Sequence, residues 1–194
     1  MTDERCARGT AFADLVAYWA GDIDAGQTER IEAHIFDCAE CAERLANVEA
    51  MSRGIAAAVR GAHFHGLITD SILNRLSREG MRIRTYTLEP GKTIPCAVWA
   101  DDDLLVSRIR ADFTGFDRVT LVQTLETGVE LSRASEIPVP PGPGEIINAV
   151  SAERVRQLPS TRLRMVLSGT SGGREQIIGE YGLEHAGALT RHTR

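Results

Sequence analysis

The chain of 194 residues lacks the features that would place it in a membrane or a secretory pathway. No uninterrupted apolar run approaches the length that crosses a bilayer, and residues 1–5 are mixed in charge with no apolar segment behind them. Four cysteines, three of them clustered and Cys96 alone, do not form a disulfide framework. These absences predict a soluble, cytoplasmic protein without membrane contact.

Catalytic motifs are missing as well. The sequence contains no G-x-S-x-G elbow, no G-x-x-x-x-G-K-[ST] phosphate loop and no H-E-x-x-H zinc-protease motif. Residues 81–184 contain no histidine, which excludes a histidine-based metal centre of the cupin kind in that part of the chain. We therefore expect the protein not to be an enzyme.

Positive charge is scarce in the first third of the chain. Residues 1–60 hold 6 arginines against 11 acidic residues, a net charge of −5, whereas residues 81–194 hold 14 residues of each sign. Direct binding of DNA or RNA by the acidic segment is disfavoured, because phosphate neutralisation requires clustered Lys and Arg. The charge favours a basic protein partner, although a solvated acidic surface would have the same composition.

Metal-ligating residue types are concentrated between positions 34 and 41. His34 and Cys38 are one helical turn apart, and Cys38 and Cys41 form a C-x-x-C pair. Imidazole and thiolate ligands in this spacing favour one structural Zn²⁺, with Cys6 as the available fourth ligand, or a water, His63 or His65 in its place. The alternatives are buried free cysteines or a redox pair, but a thioredoxin-like motif would require a βαβ pattern that is absent.

Residues 1–60 are predicted to form a small helical domain. Phe12, Leu15, Val16 and Trp19 form one apolar stripe that ends at Gly21. A second helix begins after an Asp24 cap with Gln27 at the capping-box position, and a third runs from about residue 39 toward residue 54. A unit of this size buries little apolar surface by itself, so that a bound metal would supply free energy of folding.

Residues 61–80 are predicted to be a glycine-flanked hinge followed by a fourth helix. Ile72, Leu73 and Leu76 give this short helix a strongly apolar face. Such a face usually packs on its own domain, but a helix behind a hinge can also dock in a partner's groove. We therefore expect these three residues to bind the partner.

Residues 81–186 change in character and are predicted to form an antiparallel β-sandwich, Ig-like or jelly-roll-like, with residues 187–194 as a tail. Turn signals separate short runs with partial alternation, and no helix is long enough for a βαβ crossover. The predicted strands cover residues 82–89, 94–100, 104–111, 118–125, 129–133, 145–150, 161–167 and 176–183, with a short helix at 151–158. The fold class is therefore α+β.

The N-terminal motifs resemble the zinc-binding anti-sigma factor domain, in its soluble branch. Tyr18, Gly21, Asp22 and Ile23 match the end of the first helix in that family. Glu32, His34, Cys38 and Cys41 match its Arg-x-Glu-x-His helix and H-x3-C-x2-C signature. The resemblance covers residues 6–55 and, by position, the fourth helix.

This resemblance implies a cytoplasmic anti-sigma factor that sequesters an extracytoplasmic-function sigma factor and so represses transcription. The β-domain would then be the input module or bind a further protein. The alternative is a zinc-stabilised adaptor whose β-sandwich binds another protein or a ligand, with no sigma factor involved. An enzyme with an open zinc site is disfavoured, because it would need three ligands, a water and a pocket.

Overall fold

The computed structural model describes Cys6, residues 10–171 and residues 174–189, and its fold is α+β. The helices are α1 (Phe12–Ala20), α2 (Ala25–Asp37), α3 (Ala39–Arg60), α4 (Asp70–Arg78) and α5 (Ala152–Arg156). The strands are β1 (His65–Leu67), β2 (Ile83–Leu88), β3 (Thr93–Trp99), β4 (Leu104–Asp112), β5 (Arg118–Leu125), β6 (Glu130–Pro138), β7 (Pro143–Ser151), β8 (Thr161–Ser171) and β9 (Arg174–Leu189).

Local signals fix the ends of the first two helices. Gly21 takes the left-handed conformation, with φ at 72°, and its N–H bonds back to α1, which ends the helix as predicted. Asp24 caps α2 by accepting from the Gln27 N–H at 2.8 Å, while the Gln27 side chain accepts from the Asp24 N–H at 3.2 Å. This reciprocal pair confirms the predicted capping box. The third helix continues through Gly54 and ends only at Arg60.

The strands form two facing sheets, which confirms the predicted β-sandwich. One sheet has the order β1-β7-β4-β2 and the other the order β3-β9-β8-β5-β6. Between them lies a hydrophobic cluster whose most completely buried members include Phe113, Leu121 and Leu167. The sandwich therefore has its own core, as the alternating strand pattern requires.

Two strand pairs are parallel, which the expectation of an antiparallel sandwich did not include. β2 pairs in parallel with β4, and β3 pairs in parallel with β9. The chain leaves the first sheet after β2, forms β3 in the opposite sheet and returns as β4 beside β2. Alternation along a strand encodes which face is buried but not the direction of the neighbouring strand, so the sequence pattern could not show this.

A second hydrophobic cluster joins the helices to the four-stranded sheet. Trp19 of α1, Val48 of α3 and Leu76 of α4 share it with Leu104 and Val106 of β4. The α4 helix is held further by Arg78, which donates to the Ala20 carbonyl, and by Arg75, whose guanidinium lies 5.3 Å from the centre of the Trp19 ring. Residues on both sides of the predicted domain boundary after residue 80 therefore belong to one hydrophobic cluster.

The predicted hinge and tail also contain ordered structure. Residues 65–67 form β1, an edge strand that pairs with β7 from His65↔Val150 to Leu67↔Asn148. β9 continues to Leu189, and residues 190–194 of the predicted tail lie outside the described residues. In the part of the chain that is described, no helix combines the length and apolar character that a membrane crossing requires.

Candidate metal centre

Four side chains converge where the N-terminus meets the junction of α2 and α3. His34 lies in the last turn of α2, and Cys41 lies in the first turns of α3. Cys38 has extended backbone, with φ at −130°, and separates the two helices. Cys6 reaches the same point from the N-terminal segment, where its N–H donates to the Thr10 carbonyl at 3.1 Å. Because the helix is interrupted at Cys38, the side chains of His34, Cys38 and Cys41 can all lie close to that of Cys6.

The distances are those of a single metal site. The His34 Nε2 atom lies 3.3 Å from the Cys6 Sγ atom and 3.3 Å from the Cys41 Sγ atom. Ligand atoms of Cys6, His34, Cys38 and Cys41 all lie within 4.8 Å of one another. Neighbouring ligands around tetrahedral zinc are about 3.5–3.8 Å apart, given metal–ligand bonds of about 2.0–2.3 Å. The four residues are therefore positioned to bind one metal ion.

An apolar shell encloses the thiols. Cys6 and Cys41 are buried, and Leu15 of α1 packs with them. Burial raises the pKa of the Cys41 thiol to about 12, and hydrogen bonds with the Cys6 and Cys38 thiols act in the same direction. Without a cation the Cys41 thiol stays protonated, so a bound metal is needed to hold its charged form.

The donor set fits zinc. Three sulfurs and one imidazole nitrogen make a Cys3His site, a common ligand set of structural zinc, and they leave no coordination position for a substrate. Bound Zn²⁺ would supply four coordinate bonds that fix the N-terminus, the end of α2 and the start of α3 to one point. That role is structural, as the ligand spacing predicts.

The other sequence-derived site residues lie elsewhere. His65 is in β1 and faces the β-sandwich, so it is not near the cysteines, and the Cys6 position needs no substitute ligand. Ile72, Leu73 and Leu76 are buried in the cluster shared by helices and sheet. Their partner-binding role stays a prediction, but their side chains are not accessible here because they pack on β4 and β7. A partner could reach them only if α4 left the sheet.

An exposed face of α2 was missed by the sequence reasoning. α2 contains no buried residue, and Phe36 is 92% exposed. Glu29, Glu32, Ala33 and Phe36 follow the spacing i, i+3, i+4, i+7 and are all exposed, so they lie along one side of the helix. The sequence indicates this face, because Phe36 lies at helical spacing from Glu29 and Glu32, on the side of α2 opposite to the apolar Ile31 and Ile35.

Comparison with known proteins identifies the same segment. Residues 11–42 match the sequence profile of a family described as "Putative zinc-finger". That range contains His34, Cys38 and Cys41, and Cys6 lies just before it. The segment that brings the four metal-ligating residues together is therefore similar to zinc fingers of this family.

No curated protein matches the chain. Among solved structures, the N-terminal domain of phage TP901-1 ORF48 is similar at 14% identity, over 55% of this chain and 99% of that one. The TM-score of this pair is 0.35.

Replacing Cys6 by alanine tests the fourth ligand. Because Cys6 is 4% exposed and its sulfur contacts His34, we expect zinc affinity to fall by more than about 100-fold, beyond the loss typical of residues that only support a ligand. Competition with a chromophoric chelator measures this affinity. Unchanged affinity would show that a water completes the site.

Proposed function

We propose that the protein is a zinc-binding anti-sigma factor that sequesters an extracytoplasmic-function sigma factor and so represses transcription, and that it is not an enzyme. The observation that carries the proposal is the closed Cys6-His34-Cys38-Cys41 donor set within a zinc-finger segment. Sequence resemblance of this segment to anti-sigma domains supports the partner class. A closed site offers no position for catalysis, which favours a binding role.

The surface of the helical layer fits such a partner. Residues 1–60 carry a net charge of −5, from 6 arginines and 11 acidic residues, and sigma factors need basic surfaces for promoter DNA. The side of α2 with Glu29, Glu32 and Phe36 combines this charge with one large exposed apolar side chain. Aromatic anchors within a charged rim are common at protein interfaces. We place the partner contact on this face.

Co-expression provides the first test of this function. The full chain, tagged at its C-terminus, is produced together with each extracytoplasmic-function sigma factor of the same genome. A stable one-to-one complex that blocks transcription by the reconstituted polymerase is the expected result. A zinc-loaded chain that captures none of them would support the adaptor function instead.

Substitutions on α2 locate the interface. We expect Phe36→Ala to weaken sigma-factor binding by at least about tenfold, as truncation of an interface anchor does. Glu29→Arg should lower the association rate and reduce its dependence on salt, because the charge of that face is reversed. Biolayer interferometry at two salt concentrations measures both effects, with zinc content and melting temperature as indicators of folding.

Matched controls lie on the far sheet. Ile177 of β9 is 63% exposed, and Glu126 lies in the exposed turn between β5 and β6. Ile177→Ala also truncates an exposed apolar side chain, and Glu126→Arg makes the same charge reversal away from α2, so both should leave binding unchanged. Equal losses in the control and α2 variants would exclude α2 as the docking face.

A further inference from the structure

A cavity of about 120 Å³ lies inside the β-sandwich. Its walls come from strands of both sheets and from α5 and the segment after it. Most of the lining is apolar, with Leu105 on one sheet and Leu163, Met165 and Leu183 on the other. An apolar cavity of about 150 Å³ holds a benzene molecule, so this one has the volume of a small organic ligand.

One buried polar group points to an acceptor on that ligand. Gln123 of β5 is 7% exposed, and its Nε2 atom has no hydrogen-bond partner among the described residues. A buried amide donor without a partner costs about 1–3 kcal/mol and calls for an occupant. Ser107 and Asn148, opposite each other on β4 and β7, add two more buried polar side chains to the lining.

Arg154 is the one permanently charged side chain among the described residues that line the cavity. Arg154 of α5 is exposed, lines the cavity and makes no ion pair with any described residue. His65 lies beside it: burial and then the Arg154 charge lower the pKa of His65, while a hydrogen bond with Gln123 opposes them. His65 therefore interacts with both Arg154 and Gln123 in the lining of this cavity. Among the residues that the structure describes, no acidic side chain lines the cavity.

We propose that this cavity binds a small monocarboxylic acid with an apolar body of about six or seven carbon atoms. The carboxylate lies at the Arg154 end, where Arg154 supplies the countercharge and Gln123 Nε2 donates to one oxygen. The apolar body extends between Leu105 and Met165. The exposed Arg154 and the buried amide donor of Gln123 match the carboxylate end of such a molecule. The apolar interior of the cavity matches its other end.

The position of the cavity connects it to the helices. On β4, Leu105 and Ser107 face the cavity, whereas Leu104 and Val106 face the cluster that holds α1, α3 and α4. A ligand would thus contact the reverse side of strands that carry the helical layer. Its use as an input signal rests on the proposed anti-sigma function, but binding of the acid does not.

Titration with benzoate and benzamide tests the proposal on the full, zinc-loaded chain without any partner. The two probes share size and shape, and only benzoate is charged. We expect benzoate to bind at least about tenfold tighter by calorimetry, the scale of one charge-assisted hydrogen bond at a partly exposed site. The Met165 methyl signal in a carbon–proton NMR spectrum should shift on binding.

Arginine variants on either side of the sandwich complete the test. Arg154→Gln should remove the preference for benzoate over benzamide, and it should keep the fold because Arg154 is exposed and unpaired within the described chain. Arg164→Gln is the control, since Arg164 lies between Leu163 and Met165 on β8 but points to the outside, where it pairs with Glu180. Absence of binding, an unshifted Met165 signal, equal affinity for both probes, or equal losses in the two variants would each overturn the proposal.

Discussion

Cys41→Ser is expected to abolish metal binding and to unfold α2 while leaving the β-sandwich intact. Cys41 is fully buried, and its sulfur lies 3.3 Å from His34 Nε2 at the centre of the donor set. α2 has no buried residue, so its main attachment to the rest of the protein is this site. Structural zinc contributes about 10–16 kcal/mol in zinc-finger peptides, far more than the half-buried Ile31 and Ile35 can replace.

Metal analysis and far-UV circular dichroism measure the outcome. The unaltered protein should contain about one zinc per chain, as one four-ligand site requires, and the Cys41→Ser variant close to none, with a helical signal reduced by the contribution of α2. Cys96→Ala is the control, because Cys96 is also a buried free cysteine but belongs to the core of the sandwich. An intact helical signal after complete chelation would contradict a structural role for the metal.

The features that sequence could predict are those encoded locally. Asp24 and Gln27 are three residues apart and form their capping box without outside help, and Gly21 ends α1 by its own backbone conformation. The strands of the sandwich follow from alternation between turn signals, so that β5 begins and ends at the predicted residues. The metal motif is also local, since His34, Cys38 and Cys41 lie within eight positions.

Features that depend on distant residues could not be predicted in this way. The sequence indicates Cys6 as the candidate fourth ligand from its residue type alone, with a water, His63 or His65 as alternatives, because its contact with His34 spans 28 positions. The parallel pairing of β2 and β4 depends on β3 crossing to the other sheet. The cavity inside the β-sandwich brings together Arg154 of α5 and Gln123 of β5, and neither residue belongs to a sequence motif.

The apolar face of α4 illustrates this limit most clearly. Its strong amphipathicity shows that one side must be covered, and two coverings satisfy the pattern equally: a partner's groove or the protein's own sheet. The structure covers it with β4 and β7 through Leu104, Val106, Ile147 and Ala149. Those residues lie more than 20 positions after α4 in the chain. Because β4 and β7 are buried on both faces of their sheet, their sequences show no alternation that would indicate packing against the helix.

Leu76→Ala is therefore expected to destabilise the whole protein rather than to act only at a partner surface. Leu76 is fully buried in the cluster shared by α1, α3, α4 and the four-stranded sheet. Removing a buried leucine side chain costs about 2–5 kcal/mol. Because the cluster joins both layers, denaturant unfolding followed by Trp19 in the helices and by Trp99 in the sandwich should move together to lower concentration. Variants that keep one tryptophan separate the two signals.

Leu67→Ala provides the comparison, since Leu67 is 39% exposed at the edge strand β1, and the substitution should cost about 0.5 kcal/mol or less. If Leu76→Ala left both unfolding midpoints unchanged and weakened sigma-factor binding, α4 would be the docking helix that its sequence also permits. If only the Trp19 transition moved, the helical layer and the sandwich would unfold separately in spite of their common core. A joint shift makes α4 the element that couples the metal-bound helices to the strands lining the cavity.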